Sequence, residues 1–258
     1  MVSLLASGFS LASSSAMQHT GAPEQKQRTS QMNAEGAAQS LKCRTDRPKI
    51  IVVGGHTRNI GKTSVAAGLI RHFSFLSWTA IKITQYGHGI CSRDGRRCGC
   101  APTEHPFALT EEKDAGGHSD TSRFLIAGAL HSLWLRVRQG QLGHALPLLQ
   151  QALSDAEYAL VESNSILEFI RPSLYLMVLD SSRPDFKESA RHFLQFADAF
   201  VTTSEPLVPE AWPGIDAEIL HQKPLFRLSP RTFSSASLCR FVSRSLGLVA
   251  PEAVALEG

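Results

Sequence analysis

Residues 49–64 read Lys-Ile-Ile-Val-Val-Gly-Gly-His-Thr-Arg-Asn-Ile-Gly-Lys-Thr-Ser. An apolar run, a tight glycine-containing loop and the start of a helix follow one another, and the loop ends in Gly61-Lys62-Thr63. That order suits phosphate binding. The first N–H groups of a helix have no intrahelical acceptor, and the helix dipole adds partial positive charge, so a loop feeding a helix N-terminus is an anion site. In such a loop Lys62 sets an ammonium on the β- and γ-phosphates, and the Thr63 hydroxyl binds Mg²⁺. Gly55, Thr57, Asn59, Ile60, Gly61, Lys62, Thr63 and Ser64 are therefore the candidate nucleotide-binding residues. The spacing departs from the usual G-x-x-x-x-G-K-[ST]. A glycine is due at position 56, which holds His56, and the glycine stands one residue further out at Gly55. A chance Gly-Lys-Thr at a strand-to-helix turn is the bland alternative.

Three further charged residues stand where an α/β protein gathers its ligands, just beyond apolar strands. Lys82 lies near the end of Trp78–Thr84. Glu162 ends Tyr158-Ala159-Leu160-Val161, and Asp120 opens a helical segment. Phosphoryl chemistry needs positioning and charge neutralisation more than covalent help. Lys62, Lys82, Asp120 and Glu162 form the candidate catalytic set. Lys82 would bridge the γ-phosphate and an acceptor, and Thr63 with Glu162, or Asp120, would hold Mg²⁺, an ion that takes a few carboxylates and keeps several waters. Each has an ordinary reading: Asp120 as a helix N-cap, Lys82 as a solvated strand end, Glu162 as a surface carboxylate.

A second cluster is Cys91, Cys98 and Cys100 with His88 and His105. Three thiols and an imidazole can make a tetrahedral zinc site, although C-x₆-C-x-C is not a common zinc-finger spacing. An exposed thiol cluster handling redox chemistry or substrate, and thiols with no special role, are the alternatives. Arg93, Arg96 and Arg97 add positive charge that would lower a thiol pKa.

The elements that must position these groups alternate. Apolar strands are expected at 49–53, 78–84, 133–137, 158–161, 174–179, 199–203 and 225–228. Helical spacing is expected at 62–73, from Ser119 or Asp120 to 129, and at 142–153, 188–197 and 234–245. This pattern predicts an α/β fold, a mostly parallel sheet with helices on both faces. Residues 85–117, dense in Gly, Pro, Cys and charge, read as an irregular Cys- and Gly-rich insert, unusual enough at that length to suggest function.

Residues 1–46, rich in Ser, Ala, Gln and Gly, read as a disordered extension to a domain spanning 47–258. A weak leader-like patch at Leu4–Ala12, or initiation at Met17 or Met32, are the other readings of that segment. The 258 residues are 43% hydrophobic and 19% charged, with a net charge of +3. They therefore suit a globular domain and give no sign of a nucleic-acid-binding surface. No apolar run reaches the ~20 residues of a membrane span. Five cysteines, an odd number, argue against a disulfide framework. A nucleotide-binding chain of this kind is expected in the cytoplasm.

On these residues the chain resembles the molybdopterin-guanine dinucleotide biosynthesis protein B family of P-loop NTPases. The matching pieces are the phosphate-binding loop, Ile81-Lys82 with His88-Gly89, Asp120-Thr121-Ser122-Arg123 with Ala127-Gly128-Ala129, and Leu160-Val161-Glu162, in order over residues 49–205. The lengthened loop G-x-T-x-x-I-G-K-T resembles that of the dethiobiotin synthetase branch, which also places a lysine near Lys82. The resemblance implies a Mg²⁺-dependent NTPase that binds GTP and serves molybdenum-cofactor biosynthesis. It also implies a homodimer with the site at the interface. No Asn-Lys-x-Asp motif follows Val201–Thr203, so GTP and ATP both stay open. The alternatives are an ATP-dependent ligase or kinase like dethiobiotin synthetase, and a non-catalytic, metal-stapled adaptor that binds nucleotide as a signal. The acceptor, a small molecule or a protein, is open.

Overall fold

A computed structural model describes residues 47–87, 106–203 and 207–248. The extension at 1–46 and the cluster of Cys91, Cys98, Cys100, His88 and His105 lie outside the described residues. The elements, in chain order, are β1 (Lys49–Gly55), α1 (Lys62–His72), β2 (Trp78–Tyr86), β3 (Phe107–Glu111), α2 (Asp120–Ala127), β4 (His131–Arg138), α3 (Leu142–Ala152), β5 (Tyr158–Glu162), β6 (Leu174–Val178), α4 (Glu188–Phe193), β7 (Ala199–Thr202), α5 (Ala217–Gln222), β8 (Leu225–Arg227) and α6 (Ala236–Ser245). The strands form one eight-stranded sheet in the order β3-β4-β2-β5-β1-β6-β7-β8. Every pairing is parallel except β3 against β4.

Strand residues alternate between two cores because successive side chains point to opposite faces. Ile51, Val53, Leu160, Leu174 and Leu176 meet α1, α2 and α6 on one face. Val52, Ala159, Val161, Tyr175 and Met177 meet α3, α4 and α5 on the other. The handedness of parallel crossovers explains the division. Connections that step across the sheet in opposite directions must leave by opposite faces. The chain leaves β1 by the α1 face and leaves β6 by the α4 face. The two connections diverge, and a crevice opens at the carboxyl end of β1, the switch point where ligands bind in open sheets.

The expected α/β architecture is the one observed, with two additions. Part of the segment read as an irregular insert is regular. β2 runs on to Tyr86, and Phe107–Glu111 forms an antiparallel edge strand. α5 was not expected. It is six residues long and buries one side chain, Leu220. None of the helices among the described residues is long and apolar enough to cross a membrane.

Candidate functional site

β1 delivers its chain end to the loop of residues 56–61, and α1 begins at Lys62. Gly61 caps α1 with φ 87°, a left-handed conformation open to glycine at little cost, and Asn59 also has positive φ, at 57°; Asn tolerates that region better than most side chains. The first turn of α1 carries no carboxylate and its N-cap makes no side-chain hydrogen bond. The first intrahelical acceptor is the Gly61 carbonyl, reached by the Val65 N–H at 2.9 Å. The helix end therefore faces the loop with its dipole uncompensated by an acidic cap.

Lys62 curls back over this loop. Its ammonium donates to the Thr57 carbonyl at 2.6 Å. Burial lowers its pKa, and the neighbouring Lys82 and Arg58 add to that, against the pull of Glu162 and Asp120.

The other three charged residues converge on Thr63. The Thr63 hydroxyl donates to Glu162 Oε2 at 2.7 Å. The Lys82 ammonium lies 3.0 Å from Glu162 Oε1, 2.5 Å from Asp120 Oδ2 and 3.4 Å from Thr63 Oγ1. Register explains the meeting: Lys82 of β2 is directly opposite Glu162 of β5, and Glu162 is opposite Val53 of β1. Glu162 is only 5% exposed, so it is not a surface carboxylate. Burial works against the charge on Lys82, but the Glu162 and Asp120 carboxylates outweigh it and raise its pKa. Burial likewise opposes the Asp120 charge, and Lys82 overrides it, lowering that pKa. Asp120 is not the N-cap. Ser119 is, its hydroxyl accepting from the Ser122 N–H, which leaves the Asp120 carboxylate free to turn to Lys82. Ser64 is held from α2, its hydroxyl accepting from Arg123 Nη2 at 2.7 Å.

Glu112 anchors the start of α2. Its Oε1 accepts from the Lys113 and Asp114 N–H groups, and its Oε2 accepts from the Ser119 and Thr121 hydroxyls. The Asp114 backbone bond first, then the hydroxyls, hold its pKa down to about 2.

Thr63, Glu162 and Asp120 offer a hydroxyl and two carboxylates gathered around one cation, the Lys82 ammonium. This all-oxygen set suits Mg²⁺, which favours hard oxygen donors and keeps several waters. Among the described residues there is no group of three or more His, Cys, Asp or Glu side chains that could hold an ion unaided. The set fits an ion that arrives with phosphate oxygens.

Several residues that shape the loop were not singled out by sequence reasoning. Asn164, two residues past Glu162, clamps Gly55 with both ends of its amide. Its Oδ1 accepts from the Gly55 N–H at 2.9 Å and its Nδ2 donates to the Gly55 carbonyl at 2.8 Å. The clamp requires a bare backbone at Gly54, where a Cβ would lie 2.1 Å from Asn164 Oδ1 and 2.8 Å from Tyr175 Cε2. Gly54→Ala should therefore destabilise the fold by about 1–3 kcal/mol, the usual cost of overpacking a filled site. Urea denaturation of the variant measures this, and an unchanged midpoint would contradict the clamp.

His56, the residue in place of the usual glycine, is 0% exposed. Its ring sits against Phe186 and Trp212, centroids 5.2 and 4.9 Å away. Its Nε2 is 3.2 Å from the Arg183 carbonyl, which also accepts from Trp212 Nε1. The extra loop residue thus packs against the connection after β6 and pins the loop to it. Burial lowers its pKa from 6.5 to about 4, with Lys62 and Lys187 adding to the effect and Asp185 and Asp180 opposing it. The unfolded chain then binds more protons than the folded one between those values, so stability falls as pH drops from 6.5 toward about 4. The loss is on the order of 3 kcal/mol. Urea midpoints at pH 7 and pH 4.5 should differ less in His56→Phe than in the parent chain; equal differences would show that other groups carry the pH dependence.

No family model matches this chain, and no curated protein matches it. Among solved structures it is similar to HypB from Helicobacter pylori in complex with nickel, at 12% sequence identity and a TM-score of 0.41, over 77% of this chain and 88% of that one. The fold assignment rests on the sheet order and the loop described above.

Proposed function

We propose that this chain binds a Mg²⁺–nucleoside triphosphate at the loop of residues 55–64 and hydrolyses it or transfers its terminal phosphoryl group. One observation carries the reading: Thr63, Glu162, Asp120 and Lys82, drawn from four separate elements, meet at the mouth of a glycine loop that ends in Lys62. Phosphoryl transfer needs charges of both signs beside the phosphate-binding helix N-terminus. In this reading the loop amides and Lys62 bind the β- and γ-phosphates. Thr63 and Glu162, with Asp120, would hold Mg²⁺, which would neutralise charge on the phosphate oxygens. Lys82, which the free protein holds between Glu162 and Asp120, would with the ion bound supply an ammonium to the transferring group.

The resemblance to the molybdopterin-guanine dinucleotide biosynthesis protein B family supports a finer role as a GTP-binding protein of molybdenum-cofactor maturation, acting as a homodimer in the cytoplasm. The long loop and Lys82 favour the second reading, an ATP-dependent ligase or kinase like dethiobiotin synthetase. Phosphate release from ATP and from GTP, with Mg²⁺, tests the reading. Turnover of either supports an enzyme and names its base. Binding without turnover of both would leave the adaptor reading, in which the nucleotide is a signal.

A further inference from the structure

We propose that Arg123 is a further phosphate-binding residue of this site, reaching the ligand from α2 at the first turn of α1. The inference rests on the nucleotide reading and adds a residue to it.

The start of α2 sets the placement. Ser119 caps the helix, and the Arg123 N–H donates to the Ser119 carbonyl at 3.1 Å, so Arg123 stands in the first full turn. Residues three apart share a helix face, which puts Arg123 beside Asp120. Phe124 and Ala127 are buried in the core that also holds Val65, Ala66 and Leu69 of α1. That packing docks α2 on α1 and leaves Asp120 and Arg123 to meet the residues of the phosphate loop.

Two contacts locate the side chain itself. Its Nη2 donates to Ser64 Oγ at 2.7 Å, and its Nη1 lies 3.7 Å from Asp120 Oδ1. The second separation is an ion pair too long for a hydrogen bond, and Asp120 gives its other oxygen to Lys82 at 2.5 Å. The guanidinium is thus aimed by a hydroxyl and a carboxylate that both belong to the candidate site.

Ser64 decides what the guanidinium can meet. The first intrahelical bond of α1 runs from the Val65 N–H to the Gly61 carbonyl. The N–H groups of Lys62, Thr63 and Ser64 precede it and have no acceptor within the helix. In a loop of this kind such amides cradle phosphates, and a phosphate taken by them comes within reach of a group bonded to Ser64. Arginine has five N–H donors in a planar fork that matches phosphate oxygens. The Ser64 bond uses one of them, and the side chain is 41% exposed, so the remaining donors are not enclosed by protein. The ligand chemistry is therefore the phosphate chain of the nucleotide.

The test uses the full chain and calorimetric titration with ATP, ADP, GTP and GDP. Mg²⁺ is omitted, which removes any effect that passes through Asp120 as a ligand of the ion. Arg123→Gln should bind the preferred triphosphate at least about 10-fold more weakly than the parent. Its affinity should also fall less steeply with added NaCl, because one charged contact is missing. Arg123→Lys restores the charge without the fork and should bind more tightly than Arg123→Gln, with the salt dependence of the parent. Arg71→Gln removes the same charge from an exposed position in the last turn of α1 and should bind as the parent does. A loss that the diphosphate shares supports the proposal and places the contact on the α- and β-phosphates; a loss confined to the triphosphate supports it and places the contact on the γ-phosphate. Parent-like binding by Arg123→Gln overturns the proposal and leaves the nucleotide reading standing. Weaker binding that keeps the parent's salt dependence and is not relieved in Arg123→Lys makes Arg123 a strut between α2 and α1, and also overturns it. Failure of the parent to bind any of the four nucleotides overturns both.

Discussion

Lys62→Ala should lose triphosphate binding by at least about 100-fold and keep its fold, an effect of about 3 kcal/mol or more for removing a partly buried cation from a phosphate. Two features of the free protein separate this from general damage. Among the described residues the hydrogen bond of the Lys62 ammonium stays within its own loop, at the Thr57 carbonyl, so no hydrogen bond to another element is lost. Its pKa is lowered by burial, so the charge costs stability in the absence of ligand. The variant should therefore melt at or above the parent's temperature while failing to bind. Calorimetry with ATP and GTP, paired with a melt of each protein, checks both halves. Unchanged affinity would remove the loop from the nucleotide site, and a large drop in melting temperature would make Lys62 a structural residue.

Glu162→Gln is the second large effect, and it should fall on Mg²⁺ before it falls on nucleotide. Glu162 is buried and accepts from both Thr63 and Lys82. The amide keeps the shape, loses the charge, and turns one acceptor into a donor. Any gain in nucleotide affinity on adding Mg²⁺ should shrink at least about 10-fold, and turnover should fall by at least about 100-fold, the range seen when one transition-state charge partner is removed. Affinity without Mg²⁺ should change little, because the loop amides and Lys62 remain. Lys82 keeps Asp120 at 2.5 Å, so the loss of stability should stay near 1–3 kcal/mol. Titrating nucleotide with and without Mg²⁺ gives the ratio directly. A variant that responds to Mg²⁺ as the parent does would place the ion elsewhere.

Much of this arrangement is legible in the order of residues, for identifiable reasons. The strands β1, β5, β6 and β7 are buried on both faces, so they appear as unbroken apolar runs such as Ile50-Ile51-Val52-Val53 and Leu174-Tyr175-Leu176-Met177-Val178. Parallel pairing then brings their ends together, which is why Lys82 and Glu162 could be named before their contact was known. β3 is harder to see. It pairs on one side only and its residues are half-buried or exposed, so no strong apolar period marks it. α5 has a single buried side chain and no periodic face to detect.

The residues that shape the loop escape detection for a different reason. Nothing in the spacing around Asn164 names its partner, and its role exists only because β5 lies beside β1 and carries the amide to Gly55. His56 looks like a missing glycine until Phe186 and Trp212, far along the chain, close around it. Such roles come from tertiary contact, which local spacing does not encode.

The central claim is that a Mg²⁺–nucleoside triphosphate occupies the loop between Gly55 and Ser64. Its most direct test is calorimetric titration of the full chain with ATP and with GTP, each with and without Mg²⁺. Saturable binding of one nucleotide at one site per chain, tightened by Mg²⁺ and lost in Lys62→Ala, is the expected result, and the nucleotide preferred would name the base. No heat from either nucleotide, with or without Mg²⁺, would contradict the claim and leave the lengthened loop a strand-to-helix turn without a ligand.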